Sequence, residues 1–176
     1  PPELLRDFIA VERQRESGSR HVAVAVDVRS AGSLPHLLPL LEEMIVSAAW
    51  WDLVDDISGN LLARLLERHP AQVKPLLRAW AKGGDLWLRR AAMLCQRSLD
   101  TAQVDAVLLY DTILPSIGKA KFADEFFIRK GIGWALRERS YAAPAEVKAF
   151  CEEYAAQLSP LTVREALKVI HKRSIE

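Results

Sequence analysis

Apolar residues recur along this chain every three to four positions, the period of an amphipathic helix. In LLARLLERHP, Leu61, Leu62, Leu65 and Leu66 form one stripe, and Pro70 closes the segment. Val73, Leu76, Leu77 and Trp80 form the next, which Gly83 and Gly84 end. Leu86, Leu88, Ala92, Met93 and Cys95 line a third. The pattern predicts helices near 2–17, 20–31, 34–47, 50–69, 71–82, 85–99, 103–117, 124–141, 144–157 and 160–173. The stretch HVAVAVDV at 21–28 alternates as a strand does. A lone strand in a helical chain has no partner, so helix is the expectation there as well.

Short helices joined by short loops stack in pairs, and the chain carries a matching repeat. RRAAML at 89–94, RKGIGW at 129–134 and VREALK at 163–168 each set a basic residue ahead of small and apolar ones. Asp55, Arg90, Lys130 and Arg164 follow one another at steps of 35, 40 and 34, and a further step of 33 back from Asp55 reaches Val22. These intervals fit helical-hairpin repeats of the HEAT type. The expected fold is therefore all-α: one domain over residues 1–176, wound as a right-handed α-α superhelix. In such a solenoid equivalent positions line one concave surface, which would carry Asp55, Arg90, Lys130 and Arg164.

Composition narrows the classes of function. Half of the 176 residues are hydrophobic, enough for a core and too many for a disordered chain. The net charge of +1 excludes a strongly basic tail. It does not exclude a local basic face, because residues 1–85 hold 10 basic and 12 acidic residues and residues 86–176 hold 14 and 11. Cys95 and Cys151 are too few for a disulfide scaffold, which favours a reduced, cytoplasmic protein. No apolar run approaches the ~18–20 residues of a membrane span, and no signal-peptide pattern is present. The scattered His21, His36, His69 and His171 form no metal motif, so neither a metal nor another cofactor is expected. Gly-rich phosphate loops and Gly-x-Ser-x-Gly elbows are absent from the sequence.

The most unusual cluster is Trp50, Trp51, Asp52, Asp55 and Asp56. Trp51 and Asp55 are four apart and share a helical face. Tryptophans commonly pack in cores and aspartates commonly cap helices. Against that plain reading, adjacent tryptophans cannot both point into one core, and Asp55 sits where the other repeats place a cation. Lys130 and Trp134 are again four apart, on a helix that also contains Gly131 and Gly133. Each glycine costs a helix about 1 kcal/mol, so close approach of a neighbour is expected there. Arg89, Arg90, Arg129, Lys130, Arg137, Arg139, Arg164, Lys168, Lys172 and Arg173 are most simply solvated. A subset converging on one groove would instead bind phosphates.

The segments AAWWDLVDDI, LWLRRAAMLCQ, DEFFIRKGIGWALRE and LSPLTVREALKVI together resemble the AlkD-like DNA alkylation repair glycosylases, which are HEAT-like repeat proteins. The resemblance runs from about residue 20 to the C-terminus and keeps motif order and spacing. It implies metal-independent excision of cationic 3-methyl and 7-methyl purines from double-stranded DNA by a monomer. It places the catalytic aspartate at Asp55, the active-site tryptophans at Trp51 and Trp134, and their arginine at Arg90. Arg89, Arg129, Lys130, Arg164 and Lys168 are the expected DNA-binding cations. Family members carry further N-terminal helices, and the resemblance implies that this chain starts part-way through them.

The chemistry suits those residues. A cationic purine leaves the sugar as a neutral base, so no general acid is needed. Charge develops on the deoxyribose as an oxocarbenium ion, which one carboxylate can stabilise while orienting water. Indole faces beside the sugar and base would add cation–π contacts of about 0.5–2 kcal/mol each. Arg90 would hold a phosphate and keep Asp55 ionised. The resemblance further implies that the base need not be flipped into a pocket. Two alternatives stay open: a non-catalytic scaffold that binds DNA or a protein, and a general protein-binding solenoid. The first has no use for a carboxylate at the centre of a phosphate groove, and the second calls for an apolar concave face.

Overall fold

A computed structural model describes residues 10–13, 22–25 and 34–173 of the chain. Its helices are α1 (Leu34–Ala48), α2 (Trp51–Asp56), α3 (Ala63–Arg68), α4 (Pro70–Lys82), α5 (Leu86–Leu94), α6 (Ala106–Ile113), α7 (Phe126–Ser140), α8 (Pro144–Glu153) and α9 (Pro160–Arg173). A π-helical segment, Ile57–Leu62, joins α2 to α3 without a break, and a 3-10 turn, Leu114–Ser116, extends α6. The helices expected from residue 34 onward are all present, with ends shifted by a few residues. From residue 34 onward the fold is an all-α superhelix of stacked helices.

The expectation of helix at 2–17 and 20–31 is corrected. Ala10–Arg13 and Val22–Ala25 are strands β1 and β2, paired antiparallel with Ala10 opposite Ala25 and Arg13 opposite Val22. The alternation of HVAVAVDV was the better guide. The second strand supplies the partner whose supposed lack argued against it, and the β-branched Val22 and Val24 suit the pairing. The remaining residues of those two expected helices lie outside the described residues.

Local signals explain the helix ends. Asp85 caps α5 by accepting from the backbone N–H groups of Trp87 and Leu88, and Asp105 caps α6 through Leu108. Pro70, Pro144 and Pro160 occupy first helical positions, where a missing N–H costs nothing. Ala49 turns the chain between α1 and α2 with φ +41°, a left-handed conformation that strains a residue with a Cβ.

The helices form two layers. The inner row runs α2, α5, α7, α9, each packed on the next, while α4 packs on both α5 and α6 behind it. The apolar stripes fill two adjoining cores. Leu41, Ile45, Val54, Leu62, Val73 and Leu77 belong to the first. Leu109, Ile113, Ile128, Ile132, Leu136 and Val147 belong to the second. Helix α5 serves both, with Ala91 and Ala92 in the first and Met93 and Leu94 in the second. Asp55 lies on α2, Arg90 on α5, Lys130 on α7 and Arg164 on α9.

Candidate functional site

The site is built around an ion pair between the first two inner helices. Arg90 Nε donates to Asp55 Oδ1 at 2.8 Å and Nη2 donates to Oδ2 at 2.7 Å, a two-pronged guanidinium–carboxylate pair. Both residues are buried, Asp55 at 4% exposure and Arg90 at 3%. Arg90 Nη1 donates in addition to the Phe127 carbonyl, which ties α5 to the start of α7. Burial pushes the Asp55 carboxyl above its ordinary range, while the hydrogen bonds and charge of Arg90, and the charge of Arg97, draw it back. Gly131 makes room for this arrangement, because a Cβ there would lie 3.1 Å from Arg90 Nη1 and 3.1 Å from Met93 Sδ.

The expected phosphate contact of Arg90 is therefore corrected. The guanidinium is enclosed and spends its donors on Asp55 and Phe127, so of the two roles expected of it only the pairing with Asp55 has a geometric basis. Arg89 is corrected more completely. One residue along a helix rotates the side chain by about 100°, and Arg89 faces the outer layer. There it donates to the carbonyls of Gly83 at 2.8 Å, Pro115 at 2.6 Å and Lys82 at 3.2 Å. It closes the end of α4 and the turn after α6, and it is buried. The Nε of half-buried Arg129 is likewise enclosed, without a hydrogen-bond partner among the described residues, so Arg129 is not a freely solvated cation.

The tryptophans of the site differ in exposure. Trp50 and Trp51 are 52% and 44% exposed, so neither enters the core. Trp51 sits one turn ahead of Asp55, and Trp50 meets the edge of the Phe127 ring with centroids 6.0 Å apart. Trp134 is half-buried on α7, where its indole N–H donates to Glu138 at 2.9 Å. The Arg97 guanidinium lies 4.7 Å from the Trp134 ring centroid. Arg97 also donates to the Asp55 backbone carbonyl at 2.9 Å. Arg97 thus links Trp134 to the Asp55 turn.

Beyond Trp134, Glu165 of α9 gathers two cations of α7. Lys130 lies 2.9 Å and Arg137 2.8 Å from its Oε2. Lys130 above all, by hydrogen bonding, holds the Glu165 carboxyl below its ordinary range, and the charges of Arg137 and Lys168 add to this. Gly133 lets α9 approach closely, since a Cβ there would fall 2.6 Å from Glu165 Cβ. Arg164 and Lys168 are exposed on α9. Asp55, Arg90, Trp134 and Lys130 thus belong to one polar ladder across the inner helices, from which Arg89 is excluded.

Arg97, Phe127, Arg137 and Glu165 were missed as site residues. Spacing could have found two of them. Arg97 follows Arg90 by seven residues, two helical turns, and Arg137 follows Lys130 by seven. Nothing in the sequence marks Glu165, or the carbonyl of Phe127. Among the described residues no cluster of His, Cys, Asp or Glu could hold a metal ion, and no helix is long and apolar enough to cross a membrane.

Comparisons with known proteins agree with this architecture. The family model described as DNA alkylation repair enzyme matches residues 5–170. A solved structure, a predicted DNA alkylation repair enzyme from Enterococcus faecalis, is similar with a TM-score of 0.66 and 30% identity over 78% of this chain and 60% of that one. Two nucleotide-binding proteins match shorter stretches. One, from Methylibium petroleiphilum, is 58% identical over 45 residues, 25% of this chain and 15% of its own length. The other, from Delftia acidovorans, is 42% identical over 81 residues, 43% of this chain and 26% of its own length. The chain spans about a quarter or less of the length of these two relatives.

Proposed function

Because the chain belongs to the DNA alkylation repair enzyme family, we propose that it is a glycosylase releasing cationic alkylated purines from double-stranded DNA. The observation that carries this reading is a buried carboxylate, Asp55, one turn after exposed Trp51 on α2 and held by Arg90 of α5. Loss of a cationic purine demands little of the protein. The C–N bond breaks, its electron pair neutralises the base, and positive charge remains on the sugar. Asp55 stabilises that charge and orients the water that attacks it. Arg90 fixes the carboxylate so that it need not reorganise as the charge develops, and it favours the ionised form. Exposed Trp51 and the indole of Trp134 offer faces to the sugar and the charged base. Lys130, Arg137, Arg164 and Lys168 hold the phosphates, and the set requires no metal.

One observation favours a second reading, a non-catalytic DNA-binding scaffold. Both Asp55 oxygens are already engaged by Arg90, as they would be if the pair served only to join α2 to α5. The test is release of free methylated base from methylated duplex DNA by the full chain, with and without a chelator. Release that survives chelation supports the glycosylase. Binding to the duplex without release supports the scaffold.

A further inference from the structure

We propose that Arg97 is a positioning residue that seats the Trp134 indole against the turn bearing Asp55, so that the two halves of the site move as one. The proposal deepens the glycosylase reading and rests on it for its kinetic consequence.

Four observations meet at this side chain. Its Nη2 donates to the Asp55 carbonyl at 2.9 Å. Its guanidinium lies 4.7 Å from the Trp134 centroid, well inside cation–π range. Gly59 keeps the approach open, because a Cβ there would lie 2.7 Å from Nη2 and 2.9 Å from Cζ. The helix itself widens at this point, where the π-helical segment Ile57–Leu62 begins two residues after Asp55. Such segments interrupt the regular ladder of backbone bonds and often mark functional positions.

Arg90 and Arg97 therefore clamp one residue from both ends. Arg90 grips the Asp55 carboxylate and Arg97 grips its carbonyl. Only Arg97 carries the connection onward to an aromatic ring of α7 that is a candidate substrate contact. A planar guanidinium can hydrogen-bond in its plane while stacking on an indole through its face. The compact lysine ammonium does the first and only weakly the second, and methionine does neither.

The test uses the full chain labelled with 5-fluorotryptophan and read by fluorine NMR. The chain has five tryptophans, and Trp134→Phe identifies the resonance of interest. Arg97→Met should move the Trp134 resonance while leaving that of Trp80, packed in the first core, in place. Gly59→Ala, which displaces the guanidinium without altering it, should move the same resonance and guards against a poorly folded Arg97 variant. An unmoved Trp134 resonance in both variants overturns the proposal. In the excision assay, Arg97→Met should lower kcat by roughly 10- to 100-fold, the usual consequence of ångström-scale misplacement, with little change in KM. Arg97→Lys should recover part of the loss. An unchanged kcat beside a moved resonance overturns the role in the reaction. If the parent chain releases no base, the glycosylase reading fails, and the Trp134 resonance alone then decides whether Arg97 seats the ring.

Discussion

Breaking the Asp55–Arg90 pair from one side should be costly, and breaking it from both sides should not. The two side chains are only 6% and 3% exposed, so Arg90→Met leaves a carboxylate enclosed without its counter-charge and frees the Phe127 carbonyl. Removing one partner of a buried pair costs about 3–5 kcal/mol. Domains are stable by only about 5–15 kcal/mol, so this is a large share of the total. At about 2–4 °C per kcal/mol for a chain of this size, the melting temperature should fall by roughly 6–20 °C. Asp55→Ala should cost a similar amount by stranding the guanidinium. The double variant should cost clearly less than the sum, with a coupling energy of about 2–3 kcal/mol. Denaturant unfolding followed by circular dichroism measures all four members of the cycle. The sign of the pH effect follows from burial. With Arg90 gone, the folded-state pKa of Asp55 rises further above the unfolded value. The folded state then holds its proton more tightly, and Arg90→Met should lose more stability relative to the parent at pH 8 than at pH 5. Single variants that cost under about 1 kcal/mol and add without coupling would show that the pair is solvated.

Other expectations concern the far end of the ladder. Gly133→Ala should destabilise by about 1–3 kcal/mol, an overpacking cost, because its Cβ would meet Glu165 at 2.6 Å and the Thr162 carbonyl at 3.0 Å; thermal melts measure it. Glu165→Gln releases Lys130 and Arg137, so the salt dependence of duplex binding should steepen, whereas Lys130→Ala should flatten it by about one phosphate contact. Titrations at several salt concentrations separate these outcomes. The Asp105, Glu146 and Glu165 carboxyls lie below their ordinary values, chiefly through hydrogen bonds from Lys74, Arg139 and Lys130 respectively. Their contribution is complete above the unfolded-state values, near pH 4, and is lost as pH falls through the folded ones. Acid unfolding should accordingly be shallower in Arg139→Gln than in the parent.

Much of the fold was legible because the apolar stripes of α1 to α9 are unambiguous at helical period, and because Pro and Gly stand at their ends. The repeat spacing also placed Asp55 and Arg90 on neighbouring inner helices. The sequence reading failed at residues 22–25, where local alternation was overruled by a false premise about partners, and at residues 10–13, which were read as part of a helix. It failed at Arg89 because adjacent arginines look alike in a sequence, while one helical step sends one inward to Asp55 and the other to the end of α4. The two glycines of α7 were read correctly as close-approach positions, although which residues approach them, Arg90 and Glu165, depends on three-dimensional packing. Glu165 and the Phe127 carbonyl carry no signal at all, since their partners lie on other helices at irregular separations.

The most direct measurement is the rate of base release from methylated duplex DNA by Asp55→Asn, beside parent, Asp52→Asn and Asp56→Asn. Asparagine keeps the shape of the side chain and its one amide oxygen can still accept from Arg90, but the guanidinium loses its counter-charge, so the variant should stay folded by circular dichroism with a lowered melting temperature. Asp52 and Asp56 are suitable controls because their carboxylates serve local bonds, to the Leu53 N–H at 2.8 Å and to the Asn60 amide at 2.7 Å. Release by Asp55→Asn is expected to fall by about 10²–10³-fold, the loss of one preorganised electrostatic contact, with duplex affinity equal or higher. The two control variants should retain the parent rate. Parent-level release by a folded Asp55→Asn would contradict the reading and leave Asp55 as one half of an interhelical ion pair.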